Sequence, residues 1–154
     1  MDYQYDVTIG IPVYNVEKHI RQTMDSALAQ TFTSIEFLIL DDCSTDSSMA
    51  IVQEYRQTHS RGKDIHVFHQ SENRGPGVAR NRIIDEAQGR FLYFMDADDI
   101  IYPEALDACY RLCEEKDLDF VLFKAISYFE DLGKYEEHEY FTMDKIYDFV
   151  GDEV

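Results

Sequence analysis

At 154 residues, 45% of them hydrophobic, the chain is long enough to bury one sizeable core and too apolar to default to disorder. Lys and Arg number 14 against 31 Asp and Glu, and the resulting net charge of −17 argues against nucleic acid or an anionic membrane as a partner of this segment. No apolar run approaches the roughly 20 residues of a membrane helix, and the first residues lack a signal-peptide pattern.

The basic residues are unevenly spread. Six of them (Arg61, Lys63, Arg74, Arg80, Arg82, Arg90) fall within residues 61–90 beside four acids, which suits a small anionic ligand better than a polymer. Three cysteines, Cys43, Cys109 and Cys113, give an odd count without zinc-type spacing. A reducing cytosol fits them, with core packing the expected role of Cys109 and Cys113.

In chain order, residues 6–14 read as a first strand ending at Pro12. Asn15 is placed to cap a helix over residues 16–29, with Val16, Ile20, Met24, Ala27 and Leu28 on its apolar face. Residues 35–40 read as a second strand that ends in Asp41 and Asp42. Ser44, Thr45 and Asp46 then make a cap-rich turn into a helix near 47–59. A short third strand over 65–69 leads to the Asn73-Arg-Gly-Pro-Gly77 turn and a helix near 78–88. Residues 91–95 have the length and aromatic content of a strand buried on both faces, and they run into Asp96, Asp98 and Asp99. Pro103 suits the first turn of a helix over 103–116, with Leu106, Cys109, Leu112 and Cys113 inward, and residues 120–126 read as a fifth strand. Residues 131–154 change character, with eight acids against two lysines. A short amphipathic helix is expected over 143–150, and the domain is expected to continue beyond Val154.

Alternation of strand and helix with short loops predicts an α/β fold, a Rossmann-like, mostly parallel sheet flanked by helices. Ligands bind such sheets at the carboxyl ends of the strands. Three strands here end in chemistry-bearing residues: Pro12-Val-Tyr-Asn15, Asp41-Asp42 and Asp96 to Asp99. Two like charges ~4 Å apart repel by roughly 4 kcal/mol at an effective dielectric near 20, so a cation is expected among the last group. Oxygen ligands without His or Cys favour Mg²⁺ or Mn²⁺ over zinc. The plainer reading is an acidic turn that caps the following helix.

Four ordered stretches carry a family resemblance: Thr8-Ile-Gly-Ile-Pro-Val-Tyr-Asn15, Leu40-Asp-Asp-Cys-Ser-Thr-Asp-Ser47, Asn73-Arg-Gly-Pro-Gly-Val-Ala-Arg-Asn81 and Phe94-Met-Asp-Ala-Asp-Asp99. Together they resemble the family-2 nucleotide-sugar glycosyltransferases of the GT-A fold, over roughly residues 5–125. The resemblance implies a donor-binding domain over 1–130, with 131–154 the start of an acceptor-side region. It implies a nucleotide-sugar site of Pro12, Tyr14, Asn15, Glu17, Asp42, Arg80, Asp96 and Ala97, and a metal held by Asp98 and Asp96. Pro12 and Tyr14 would flank the nucleobase, Asp42 would accept from a base N–H, and Gly75 and Gly77 would let backbone approach the ligand. Arg80 would reach toward the base or diphosphate, its alternative being an ordinary ion pair. The alternative for Asp41 is ordering of its loop, and for Glu17 a solvated first-turn acid.

The implied reaction is metal-dependent, inverting transfer of a sugar from a nucleoside diphosphate sugar, UDP-sugar favoured, to a saccharide or lipid-linked acceptor in cell-wall or polysaccharide synthesis. The implied location is cytoplasmic, with peripheral attachment to the inner membrane face through parts not in this chain. The general base has no convincing match; Asp131, Glu136, Glu137 and Asp144 are candidates by composition alone. A non-catalytic nucleotide-binding or assembly module remains the alternative. A phosphoacceptor domain using Asp41-Asp42 and Lys124 ranks lower, because the acidic pair follows the second strand. A dinucleotide enzyme ranks lower still, since no Gly-X-Gly-X-X-Gly follows the first.

Overall fold

The computed structural model describes residues 3–123, 125–129 and 132–137. It divides into two compact units, residues 1–111 and 112–154. In the first, β1 (Tyr5–Val13), β2 (Ile35–Asp41), β3 (Ile65–His69) and β4 (Gly89–Phe94) form one sheet in the order β3-β2-β1-β4. All three pairings are parallel. Helices α1 (Ile20–Leu28), α2 (Ser48–Thr58) and α3 (Pro76–Glu86) make the crossovers, and α4 (Ala105–Lys116) follows β4. The chain winds outward from β1 to β3, then returns to place β4 on the other side of β1. The strand order therefore reverses between β1 and β4, where open α/β sheets leave a crevice.

Period-2 alternation sorts the sheet into two apolar layers. Val7, Ile9, Ile11 and Val13 of β1 pack with Ile35, Phe37 and Ile39 of β2 and with Ile20, Met24, Ala27 and Leu28 of α1. On the other face Leu38 and Leu40 meet Ala79 and Ile83 of α3. There β1 turns small residues outward, and Gly10 lies so close to α3 that a Cβ would sit 2.4 Å from Ile83 Cγ2. Close helix–sheet packing is thus written into one glycine. Glu36, 1% exposed, joins three strands from within this layer: Oε2 accepts from Thr8 Oγ1 at 2.6 Å and from Gln88 N at 2.9 Å, and Thr8 Oγ1 accepts from Gly89 N.

Three expectations are corrected. Helix α1 begins at Ile20, because Val16 to His19 close a turn in which His19 N and Ile20 N both donate to Val16 O. Asn15 therefore caps nothing; its φ is 51°, and its side chain is used elsewhere. β4 is half-buried and pairs with β1 alone among the described residues, whereas β2 is the strand buried along its whole length. Apolar composition does not reveal which strand takes the centre.

The third correction concerns the second unit. Residues 120–123 form no regular element there, and β5 (Ile126–Phe129) pairs antiparallel with β6 (Lys134–Glu137) across a connection containing Gly133 at φ 57°. A local hairpin partner won over a place in the parallel sheet. Leu112, expected inward, is exposed, while Cys113 is buried. The helix expected over 143–150, and Lys124, Asp131 and Asp144, lie outside the described residues. Among the described residues no helix is long and apolar enough to cross a membrane.

Candidate active site

The carboxyl ends of β1, β2 and β4 open onto one rim, and every expected site residue of the first unit except Arg80, which lies on α3, stands in or just beyond one of them. Val13 pairs with Asp41, and Asp42 N donates to Val13 O at 2.8 Å. Gly10 pairs with Phe94, and its carbonyl accepts from Met95 N at 3.0 Å. Strand β1 is thus flanked by the two acidic strand ends. Pro12 lies opposite Leu40 within the sheet, and Tyr14, just past the strand, is 46% exposed. An aromatic ring presented to solvent at the rim is not a core residue.

Asn15 and Glu17 are engaged with the loop that follows β2. Asn15 Oδ1 accepts from Thr45 N at 2.8 Å, and Glu17 Oε2 accepts from Ser47 N at 3.0 Å. Glu17 N in turn donates to Asp46 Oδ2 at 3.0 Å. Asp46 Oδ1 accepts from Ser48 N at 2.9 Å and Ser48 Oγ at 2.6 Å, and Ser48 Oγ accepts from Val16 N at 2.9 Å. Burial works to raise the Asp46 carboxyl, but the hydrogen bonds from Ser48 and from the Glu17 backbone outweigh it and hold it below the usual range. The loops after β1 and β2 are therefore one hydrogen-bonded body.

Asp41 and Asp42 are both buried, at 7% and 3% exposure. Asp41 accepts from Ser44 N at 2.8 Å, and its Oδ2 lies 2.9 Å from His69 Nδ1 at the end of β3. Asp42 Oδ1 accepts from Gln70 Nε2 at 2.8 Å and Arg74 N at 2.9 Å, while Oδ2 accepts from Gly75 N at 2.8 Å. Gly75 is the N-cap of α3, at φ 83° and ψ 165°, a region essentially reserved for glycine. Nothing lies within 4 Å of where a Cβ would stand on Gly75 or Gly77, so backbone faces open space there. One turn into α3, Arg80 Nη2 meets Asp96 Oδ1 at 2.5 Å.

Asp96, Asp98 and Asp99 are exposed, and Ala97 between them is 5% exposed. Burial, then the neighbouring Asp96 and Asp98 carboxylates, push the Asp99 carboxyl up. Burial, then Asp99 and Asp96, push the Tyr93 phenol up to about 12. The turn is crowded with negative charge. No group of three or more His, Cys, Asp or Glu is arranged to hold a metal among the described residues. Mg²⁺ needs less, usually one or two carboxylates with phosphate and water oxygens completing the shell. Asp96 and Asp98 offer oxygen ligands of that kind, although Asp96 Oδ1 is already engaged by Arg80 Nη2.

Sequence reasoning missed the supports beneath this turn. Thr23 Oγ1 donates to Ala97 O at 2.8 Å, Ser26 Oγ accepts from Ile101 N at 3.2 Å, and Gln30 Nε2 donates to Tyr102 O at 2.8 Å. Polar residues at i, i+3 and i+7, on α1 and just past its end, were the available signal. His69 and Gln70 were missed as well, since nothing local marks a strand-end histidine as the partner of a distant aspartate. Of the base candidates, Glu136 and Glu137 lie on β6 in the second unit.

The Glycosyl transferase family 2 model matches residues 8–153. The chain is 35% identical over 128 residues to the uncharacterized glycosyltransferase YibD of Escherichia coli K12, covering 83% of this chain and 36% of that protein. It is 34% identical, with a TM-score of 0.66, to the crystal structure of Staphylococcus aureus TarS residues 1–349 in complex with UDP-GlcNAc, over 71% of this chain and 31% of that one. A mannosyltransferase from Pyrobaculum calidifontis, solved in complex with GDP-Man and Mn²⁺, is 27% identical with a TM-score of 0.57, over 64% of this chain and 29% of that one. The chain thus spans about a third of the length of these relatives. A parallel sheet flanked by helices, matched in this way, is the GT-A fold, and the chain belongs to the family-2 glycosyltransferases.

Proposed function

We propose that this chain binds a nucleoside diphosphate sugar, UDP-sugars favoured, as the donor half of an enzyme that transfers the sugar with inversion to a saccharide or lipid-linked acceptor. The observation that carries the reading is the convergence of three strand ends at the β1/β4 reversal, bearing Tyr14, Asp42 and Asp96 to Asp99. TarS with UDP-GlcNAc, a relative by sequence and fold, favours uridine.

In this reading Pro12 and Tyr14 wall the base, and Asn15 and Glu17 hold that wall against the loop after β2. Asp42 already accepts three hydrogen bonds, which leaves about one of its roughly four lone-pair sites for a base N–H. Its larger service is to shape the turn at Arg74 and Gly75. Arg80 balances charge between Asp96 and the diphosphate. Asp98 and Asp96 hold Mg²⁺ or Mn²⁺, which when bound neutralises the diphosphate and the charge left on the departing nucleotide. Ala97 lends the backbone between those two carboxylates. The carboxylate that deprotonates the acceptor is not assigned to any residue of this chain.

Titration calorimetry of the 154-residue chain with UDP tests the reading. Binding is expected with Mn²⁺ or Mg²⁺ and at least about tenfold weaker without metal. A folded sample that takes up UDP with neither ion removes the donor site. Uptake of UDP without release of sugar from UDP-GlcNAc would leave a nucleotide-binding module without turnover.

A further inference from the structure

We propose that Thr23 of α1 and Gln30, two residues past its end, are positioning residues for the carboxylate turn at 96–99, acting through the backbone groups they hold. The inference rests on the reading of that turn as the metal and diphosphate side of the site. Thr23 is fully buried on α1, whose other buried positions are Ile20, Met24, Ala27 and Leu28, and Gln30, just past the helix, is 5% exposed. A buried hydroxyl or amide is costly unless its hydrogen bonds are made. Thr23 directs its bond, and Gln30 two of its three, into a single stretch, residues 97–106, the third running from Gln30 Nε2 to Ser26 O at 3.4 Å.

Thr23 Oγ1 donates to Ala97 O at 2.8 Å, in a buried contact. Gln30 bridges two backbone groups, donating from Nε2 to Tyr102 O at 2.8 Å and accepting at Oε1 from Leu106 N at 3.2 Å. Ser26 Oγ, three residues on from Thr23 in α1, accepts from Ile101 N at 3.2 Å. Thr31 N adds a bond to Pro103 O at 2.9 Å. Helix α1 and the residues just past its end thereby hold the descent from the carboxylates to α4. Ala97 is the residue between Asp96 and Asp98, and its carbonyl belongs to the peptide plane that leads into Asp98. Fixing that carbonyl sets the direction in which the Asp98 side chain leaves the backbone. Without the Thr23 hydroxyl, Ala97 O loses its buried donor and the plane can turn while the sheet stays folded.

Two measurements on the 154-residue chain decide the matter. Thr23→Val keeps the shape and removes the donor; Thr23→Ser keeps the donor; Gln30→Met serves as a second probe. Amide hydrogen exchange at Asp99 and Ile101 is expected to quicken at least tenfold in Thr23→Val and to return in Thr23→Ser, with β1 and β2 amides unchanged. Gln30→Met is expected to do the same at Leu106. Calorimetry with UDP is expected to show about a tenfold loss of affinity in Thr23→Val when Mn²⁺ is present and no loss when it is absent. Wild-type exchange at Asp99 and Ile101 in Thr23→Val overturns the proposal, and so does uniform quickening across β1 and β2, which marks a purely structural residue. If the parent chain takes up no UDP with Mn²⁺, the donor reading falls while the exchange pattern still decides the positioning role.

Discussion

Arg80 meets Asp96 at 2.5 Å from the helix whose N-cap, Gly75, is held by Asp42. Two acidic strand ends are therefore coupled through α3, one by backbone and one by a guanidinium. The Arg80 and Asp96 side chains are 38% and 52% exposed, so their attraction is screened and worth at most about 1 kcal/mol. Arg80→Ala is expected to shift stability by less than that, read by urea unfolding. Affinity for UDP with Mn²⁺ should fall about tenfold, equivalent to about 1.4 kcal/mol. A variant that loses stability but keeps its affinity would make the pair merely structural.

Asp42→Ala is the opposite case. It strips acceptors from Gln70 Nε2, Arg74 N and Gly75 N at a position 3% exposed. The three bonds are part-buried and Gly75 N keeps Asn73 Oδ1 as an acceptor at 3.0 Å, so a loss of about 1–3 kcal/mol is expected in chemical denaturation. Asp42→Asn, which keeps one acceptor oxygen, should lose about half as much.

Gly10→Ala tests how α3 is seated. The added methyl would meet Ile83 Cγ2 at 2.4 Å. Overpacking of this kind costs about 1–3 kcal/mol. In an Ile83→Ala background the same change should cost less than about 1 kcal/mol, and the coupling is read from a double-mutant cycle. Additive costs would show that the strain is relieved elsewhere.

Asp46 supplies the pH dependence. Its carboxyl is held below its ordinary value of 3.8, so its stabilising effect is complete above that value and is lost as pH falls through the lower, folded one. Asp46→Ala should cost about 1 kcal/mol at pH 7, as removal of a helix-start acceptor does. The difference in melting temperature between variant and parent should narrow steadily as pH falls below about 4. A constant difference would assign the effect to packing.

Much of the site could be read along the chain because its residues sit at the ends of apolar runs. Asp41-Asp42 after residues 35–40 and Asp96 to Asp99 after residues 91–95 announce themselves by an abrupt change from strand to charge. Their partners do not. Asp42 is joined to Gly75 over 33 residues and Thr23 to Ala97 over 74, and neither separation leaves a local mark. Asn15 misled for a related reason: a good cap residue was present, but a better acceptor geometry with Thr45 N, 30 residues away, took its side chain.

What the amino-acid order determined by itself was the alternation of strand and helix and the placing of acids at strand ends. Both follow from local periodicity and from the poor fit of carboxylates within a buried strand. Which strand lies at the centre, that Asp42 is spent on the Gly75 turn, and that α1 carries the carboxylate turn were decided only by tertiary structure. Those outcomes depend on which distant donors and acceptors come within 3 Å of one another once the sheet has closed.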